Sequence, residues 1–203
     1  MRIFIGFLSV MILSACVLQP KLEQDIHSLQ VEVTRGVFVV LPKPAQLQQE
    51  LNVSQLITAR WGNEDKAQQH KLLVQLQVDQ QQVVLAGFSA WGTRILSLNY
   101  SGGQIETYLM AGLGDSLPKP EQVLFNVMLS IWPVESWTVP LQKIGWQLKE
   151  THLQRLLIDQ KGQAVVEINY QKKPYLAGLI SFKHLELDYQ IDIETQSNIN
   201  GEQ

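Results

Sequence analysis

The sequence predicts a mainly β, α+β domain: an antiparallel curved sheet or half-barrel with one apolar helical insertion covering it. Three observations carry this expectation. Apolar residues alternate along several segments, as in Leu72, Val74, Leu76 and Val78 against Lys71, Gln75, Gln77 and Asp79. Alternation of this length marks a half-buried strand, because successive strand side chains point to opposite faces. The segments are joined by short connections such as Ser101-Gly102-Gly103 and Gln160-Lys161-Gly162, which pair neighbouring strands as antiparallel hairpins. The period changes to that of a helix once, at Glu121 to Trp132.

Taken in order, Val31, Val33 and Val37 to Leu41 predict a first strand closed by Pro42-Lys43-Pro44, and residues 45–53 a short helical turn or loop. Gln55 to Trp61 predicts a second strand. Lys71 to Val78, Val83 to Ser89, Arg94 to Tyr100 and Gln104 to Met110 continue the sheet. In the helix, Val123, Leu124, Val127, Met128, Ile131 and Trp132 share one face, and Phe125 and Leu129 add a second apolar patch. Only Gln122, Asn126 and Ser130 form a polar stripe, so the helix is expected to be covered on most sides. Pro120 suits a first helical position and Pro133 a stop. After it, Trp146 to Asp159, Gln163 to Tyr170 and Leu179 to Glu194 predict three long strands, the last with Leu185, Leu187, Tyr189, Ile191 and Ile193 on its apolar face.

The first sixteen residues point to export. Arg2 precedes an apolar run from Ile3 to Leu13, followed by Leu13-Ser14-Ala15-Cys16. A charged start, a short apolar stretch and small residues before a cut are the layout of a signal peptide, residues 1–15, and the run is shorter than the ~20 residues of a spanning helix. Leu-Ser-Ala-Cys resembles a bacterial lipobox. The resemblance implies that Cys16 is acylated and becomes the first residue of the mature chain, with its acyl chains in membrane lipid. Three chains at ~0.8 kcal/mol per buried CH₂ would anchor it firmly. Val17 is not the Asp that retains such lipoproteins in the inner membrane of enteric bacteria, which implies the outer membrane, with the domain facing the periplasm. Residues 16–30 then read as lipidated Cys and tether, 31–194 as a single domain, and 195–203 as a flexible tail.

Composition narrows the function. Of 203 residues, 16 are Lys or Arg and 19 Asp or Glu; loss of residues 1–15 would remove Arg2 and no acid, leaving 15 bases against 19 acids and a charge of −4. That balance argues against a nucleic-acid partner. Cys16 is the only cysteine, so no intramolecular disulfide forms, and its acylation removes a thiol nucleophile. His27, His70, His152 and His184 lie on different segments without zinc spacing, and solvated histidines are expected. Gly112-Leu113-Gly114-Asp115-Ser116 lacks the Lys-Ser/Thr of a phosphate loop and reads as a turn. Glu186, Asp188, Asp192 and Glu194 read as a solvated outer face or edge. No nucleophile–base constellation points to an enzyme, and no metal or cofactor is expected.

The order of elements resembles that of LolB-like outer-membrane lipoproteins: a lipidated Cys, a tether, a strand ending Ala59-Arg60-Trp61, the Lys71-Leu72-Leu73-Val74 strand, a hairpin, a Pro-flanked apolar helix ending in Trp, and long final strands. The stretch Gly87-Phe88-Ser89-Ala90-Trp91-Gly92-Thr93-Arg94 is closer still to a lipoprotein group often encoded in aryl polyene biosynthesis clusters. Both resemblances imply a half-barrel that binds an apolar ligand: a lipid, an acyl or polyene chain, or lipoprotein cargo. The curved sheet and its plug set Leu124, Phe125, Met128, Trp132, Tyr108 and Met110 as candidate cavity walls, with an ordinary packed core as the alternative for each. LolB-like proteins carry an exposed leucine in a Pro-Leu-Gly hairpin turn; here the stretch is Ala90-Trp91-Gly92. Trp91 is therefore either an apolar, membrane-facing tip or, slightly favoured, a core residue of a continuous strand or bulge. The function expected is that of a monomeric carrier or receptor, the alternative a structural lipoprotein docking onto an envelope assembly.

Overall fold

A computed structural model describes residues 30–62, 68–112 and 119–198. The expected signal peptide, Cys16 and the tether up to residue 29 lie outside the described residues, as does most of the glycine-rich segment before the helix.

Twelve strands and two helices make up the described chain. A small hairpin comes first, β1 (Gln30–Thr34) and β2 (Val37–Val40). Then follow β3 (Leu51–Trp61), β4 (Gln68–Val78), β5 (Gln82–Phe88), β6 (Arg94–Ser101) and β7 (Gln104–Leu109). Helices α1 (Pro120–Ile131) and α2 (Val134–Gln142) interrupt the strands. The chain finishes with β8 (Gln147–Glu150), β9 (Gln154–Ile158), β10 (Ala164–Tyr170), β11 (Ile180–His184) and β12 (Tyr189–Asn198).

Ten strands form one antiparallel curved sheet in the order β7-β6-β5-β4-β3-β12-β11-β10-β9-β8. The expected fold class is the one observed. The pairing of β12 with β3, Ile193 opposite Ile57 and Tyr189 opposite Trp61, joins the two halves of the chain. Register sets which side chains share a face. Val53 and Ile57 of β3 point the same way as Leu76 and Leu72 opposite them on β4, and this face receives α1. The β1–β2 hairpin packs on α1 from the other side through Val31, Val33 and Val39. Helix α1 is thus enclosed between hairpin and sheet, with Leu124, Phe125, Met128, Leu129 and Trp132 fully buried. Each such side chain contributes about 1.5–3 kcal/mol through burial.

Several expectations are corrected. The first strand is a hairpin, because Arg35-Gly36 turns the chain with Gly36 at φ 76°. The second strand begins at Leu51. Trp146 to Asp159 is two strands bent at residues 151–153, and Leu179 to Glu194 is two strands bent at residues 185–188. Leu185 and Leu187 therefore stand in an exposed turn and not on an apolar strand face. Pro133 ends α1 but also begins α2, which was not expected. Strand β12 runs through Asn198, past the expected end of the domain at 194.

Candidate functional site

An apolar cavity of about 60 Å³ lies between the middle of α1 and the concave face of the sheet. Alternation on β3 and β4 builds most of it: Ile57, Ala59 and Trp61 on one strand, His70, Leu72 and Val74 on the next. Leu85 of β5, Leu96 of β6, and Ile191 and Ile193 of β12 complete the sheet side, and Val123, Asn126 and Val127 of α1 form the roof. Gly87 lies on the same face. A Cβ there would come within 2.7 Å of Leu72 Cδ2 and 2.9 Å of Leu96 Cγ, so only glycine lets these two leucines close over the strand.

The cavity sits toward one end of the sheet. Trp61 ends β3 beside the start of β4 and opposite Tyr189, which starts β12. Antiparallel pairing brings the end of β5 and the β5–β6 turn to this same rim, since Phe88 pairs with Leu73 and Arg94. Trp61 and His70 stack there, ring centroids 5.0 Å apart, with His70 exposed to solvent. Trp91 stands on the β5–β6 turn with 93% of its surface exposed, and Leu185 and Leu187 project from the β11–β12 turn at the same rim. The turn under Trp91 is closed by Gly92 N–H donating to Ser89 O at 2.9 Å and Ser89 N–H to Thr93 O at 2.9 Å. The buried placement slightly favoured from the sequence is corrected: a five-residue connection lifts Trp91 clear of both strands.

The polar groups around the roof form one chain. Gln122 Nε2 donates to the Tyr189 hydroxyl at 3.1 Å, and that hydroxyl donates to Asn126 Oδ1 at 3.0 Å. Burial pushes the Tyr189 phenol up to about 12, so it keeps its proton. Asn126 Nδ2 has no hydrogen-bond partner among the described residues, although Asn126 is only 2% exposed. At the other end of α1 the helix is pinned. Tyr170 Oη donates to Ser130 O at 2.7 Å, and Arg155 Nη1 donates to Leu129 O and Trp132 O.

Of the expected cavity walls, Leu124, Phe125, Met128 and Trp132 line none of this cavity: all four are fully buried on the other sides of α1, and Phe125 packs edge-on against Trp137 at 5.7 Å. Tyr108 also departs from expectation. It pairs with Ser97 on the outer face, 46% exposed, with the Arg94 guanidinium over its ring. Met110 lies beyond β7, half-buried, and is not on the cavity wall. The residues that do line it, Val123, Asn126 and Val127, were legible only as parts of the helical pattern, without a sign of which face met the sheet.

The expected solvated histidine at 184 is also corrected. His184 is fully buried, its Nε2 2.9 Å from Val33 O, and its Nδ1 accepts from Leu187 N–H at 3.2 Å. Two strands, β3 and β12, separate it from His70 in the sheet. Glu186 accepts a hydrogen bond from Thr34, and Asp192 pairs with Arg60 on the outer face. No group of three or more His, Cys, Asp or Glu able to hold a metal occurs among the described residues.

Solved structures of similar chain course include a LolA superfamily protein from Nitrosomonas europaea, with 7% identity, 74% of this chain and 86% of that chain covered, and a TM-score of 0.42. A putative outer membrane lipoprotein-sorting protein domain from Vibrio parahaemolyticus has 9% identity, covers 75% and 87% of the two chains, and gives 0.33. A DUF1329 family protein from Desulfovibrio piger has 7% identity, covers 76% and 88%, and gives 0.35. At these scores the fold assignment rests on the strand order itself. No curated protein matches the chain. The family model described as "Protein of unknown function (DUF3261)" matches residues 52–197, and the chain belongs to that family.

Proposed function

We propose that this protein binds an apolar or amphiphilic ligand between the curved sheet and α1 and passes it on without covalent chemistry. The observation that carries the reading is the almost wholly apolar cavity under the middle of α1, toward the end of the sheet at which Trp91 projects. At about 60 Å³ the cavity is smaller than the ~150 Å³ that admits benzene, so a chain-like ligand enters only if the cavity walls move apart. Hydrogen bonds hold α1 at both ends of the cavity: Arg155 and Tyr170 grip its C-terminal end, and Gln122 and Asn126 meet Tyr189 of the sheet. Binding then rests on apolar burial, at ~25 cal/mol per Å².

In this reading Cys16 is acylated and holds the protein on the outer membrane, facing the periplasm, and Trp91 is the membrane-facing tip. The ligand is a lipid, an acyl or polyene chain, or the lipid part of a lipoprotein. Mass spectrometry of the mature protein would show an acylated N-terminal Cys16; an unmodified Cys16 would remove the anchor. Transfer of radiolabelled phospholipid from donor to acceptor vesicles tests the carrier role. Acceleration by catalytic amounts of protein is expected, and a rate equal to that without protein would refute it.

The small volume favours a second reading, a structural lipoprotein. In it the core stays closed and the rim residues Trp91, Leu185 and Leu187 dock onto an envelope assembly. Such a protein would leave vesicle transfer unchanged.

A further inference from the structure

We infer that Asn126 reads a hydrogen-bond acceptor on the ligand, so that the cavity selects an acyl chain ending in an ester or amide carbonyl over a plain hydrocarbon. This rests on the proposed ligand-binding role of the cavity and names the class of ligand.

The Asn126 amide turns its oxygen toward Tyr189. Gln122 Nε2 donates to the Tyr189 hydroxyl at 3.1 Å, and the hydroxyl gives its own proton to Asn126 Oδ1 at 3.0 Å. With Gln122 Nε2 on the hydroxyl, reversing the Asn126 amide alone would aim a second donor at it and leave the phenol proton without an acceptor. The arrangement with Oδ1 toward Tyr189 satisfies every donor in the chain except Asn126 Nδ2. That group is buried in a wall whose other members are almost all apolar. A buried donor without a partner loses its hydration and regains nothing. A ligand carbonyl oxygen supplies the missing acceptor.

The position of Asn126 fits a carbonyl at the root of an acyl chain. Its partner Tyr189 lies in the rim layer, opposite Trp61, and the next layers inward are Ile191 with Ala59 and Ile193 with Ile57. A chain whose carbonyl meets Asn126 directs its methylenes toward Ile193 and Val74. Its polar head leaves past the stacked, partly exposed pair of Trp61 and His70. A hydrocarbon gains the same apolar contacts but leaves Nδ2 unpartnered, so it binds about tenfold more weakly, the worth of one hydrogen bond.

The test uses the full-length protein and equilibrium dialysis with three radiolabelled probes: 1-monopalmitoylglycerol, N-palmitoylethanolamine and hexadecane. The wild type is expected to bind the two carbonyl probes about tenfold more tightly than hexadecane. Asn126→Leu is expected to abolish the preference, so that the three probes bind with the same affinity. A preference that survives in Asn126→Leu, or a wild type with no preference, overturns the role of Asn126 while the cavity reading stands. A wild type that binds none of the three overturns the cavity reading and the role of Asn126 with it. Loss confined to the ester or to the amide probe supports the role and identifies which carbonyl is read. Should Asn126→Leu fail to fold, Asn126→Ala removes the donor without adding bulk to the wall. The same loss is expected from it, and retained preference overturns the role.

Discussion

The guanidinium of Arg155 donates to the main-chain carbonyl of Trp132 at 2.8 Å, closing the last turn of α1 from a strand two elements away. The same nitrogen reaches Leu129 O at 2.8 Å, and Nε pairs with Glu150 at 2.6 Å. The terminal carbonyls of a helix lack partners within it, and a cation there meets the negative end of the helix dipole. Arg155 is only 3% exposed, and its Nε and Nη1 both have partners.

Arg155→Leu should therefore destabilise the fold by about 2–4 kcal/mol, because the Leu129 and Trp132 carbonyls are left without their donor. Chemical denaturation would measure it. A loss under about 1 kcal/mol would show that α1 is not held at this end.

Filling the cavity separates its wall from the core. Val127→Phe projects into open space beside Leu85 and Ile193 and should keep or raise the melting temperature while abolishing ligand uptake. Met128→Trp acts on a fully buried neighbour in the next helical position. It should overpack the core and cost about 1–3 kcal/mol. Equal melting temperatures for the two variants would contradict the placement of the cavity.

The contrast between Val127 and Met128 shows how far the sequence reaches. Pro120 and the i, i+4 spacing of apolar residues locate α1 within one residue at each end. They leave its rotation open, because apolar residues surround it. The stripe of Gln122, Asn126 and Ser130 resembles a solvent face, yet Asn126 and Ser130 are buried and Gln122 reaches Tyr189. Sheet alternation identifies the inward faces of β3 and β4 because those strands are wet on the other side. The bends at residues 151–153 and 185–188 lack glycine and proline. Alternation passes straight through Leu185 and Leu187, and the turn is made by Asp188 at φ 49°. Trp91 is placed by a turn whose side-chain acceptor is Ser89 Oγ, taking Trp91 N–H at 3.3 Å and Thr93 N–H at 3.2 Å. That bond pattern leaves little trace in hydropathy.

His184 makes stability depend on pH. Burial pushes its pKa down from 6.5, against the opposing influences of the Val33 carbonyl and Glu186. The folded state holds the neutral ring, so below about 6.5 the unfolded chain binds more protons. The contribution is complete above that pH and is lost as pH falls, when protonated Nδ1 no longer accepts from Leu187 N–H. The wild type should melt at a lower temperature at pH 5 than at pH 7.5, and His184→Gln should flatten that difference. An equal drop in the variant would assign it to other groups.

Trp91→Glu tests the rim. With the side chain 93% exposed, stability should change by no more than about 0.5 kcal/mol. Vesicle transfer should fall while ligand binding persists, since an aromatic suited to the membrane interface has been replaced by a charge. Unchanged transfer by the folded variant would deny Trp91 a part in delivery.

The ligand site under α1 is tested most directly by photolabelling. The full-length protein would be irradiated with a palmitoyl probe carrying a diazirine on its chain, and the labelled residues mapped by mass spectrometry. Labelling at Val123, Val127, Ile57 and Ile191, abolished by Val127→Phe, is the predicted result. Labelling confined to Trp91, Leu185 and Leu187, or none above a denatured control, would contradict a ligand held between α1 and the sheet.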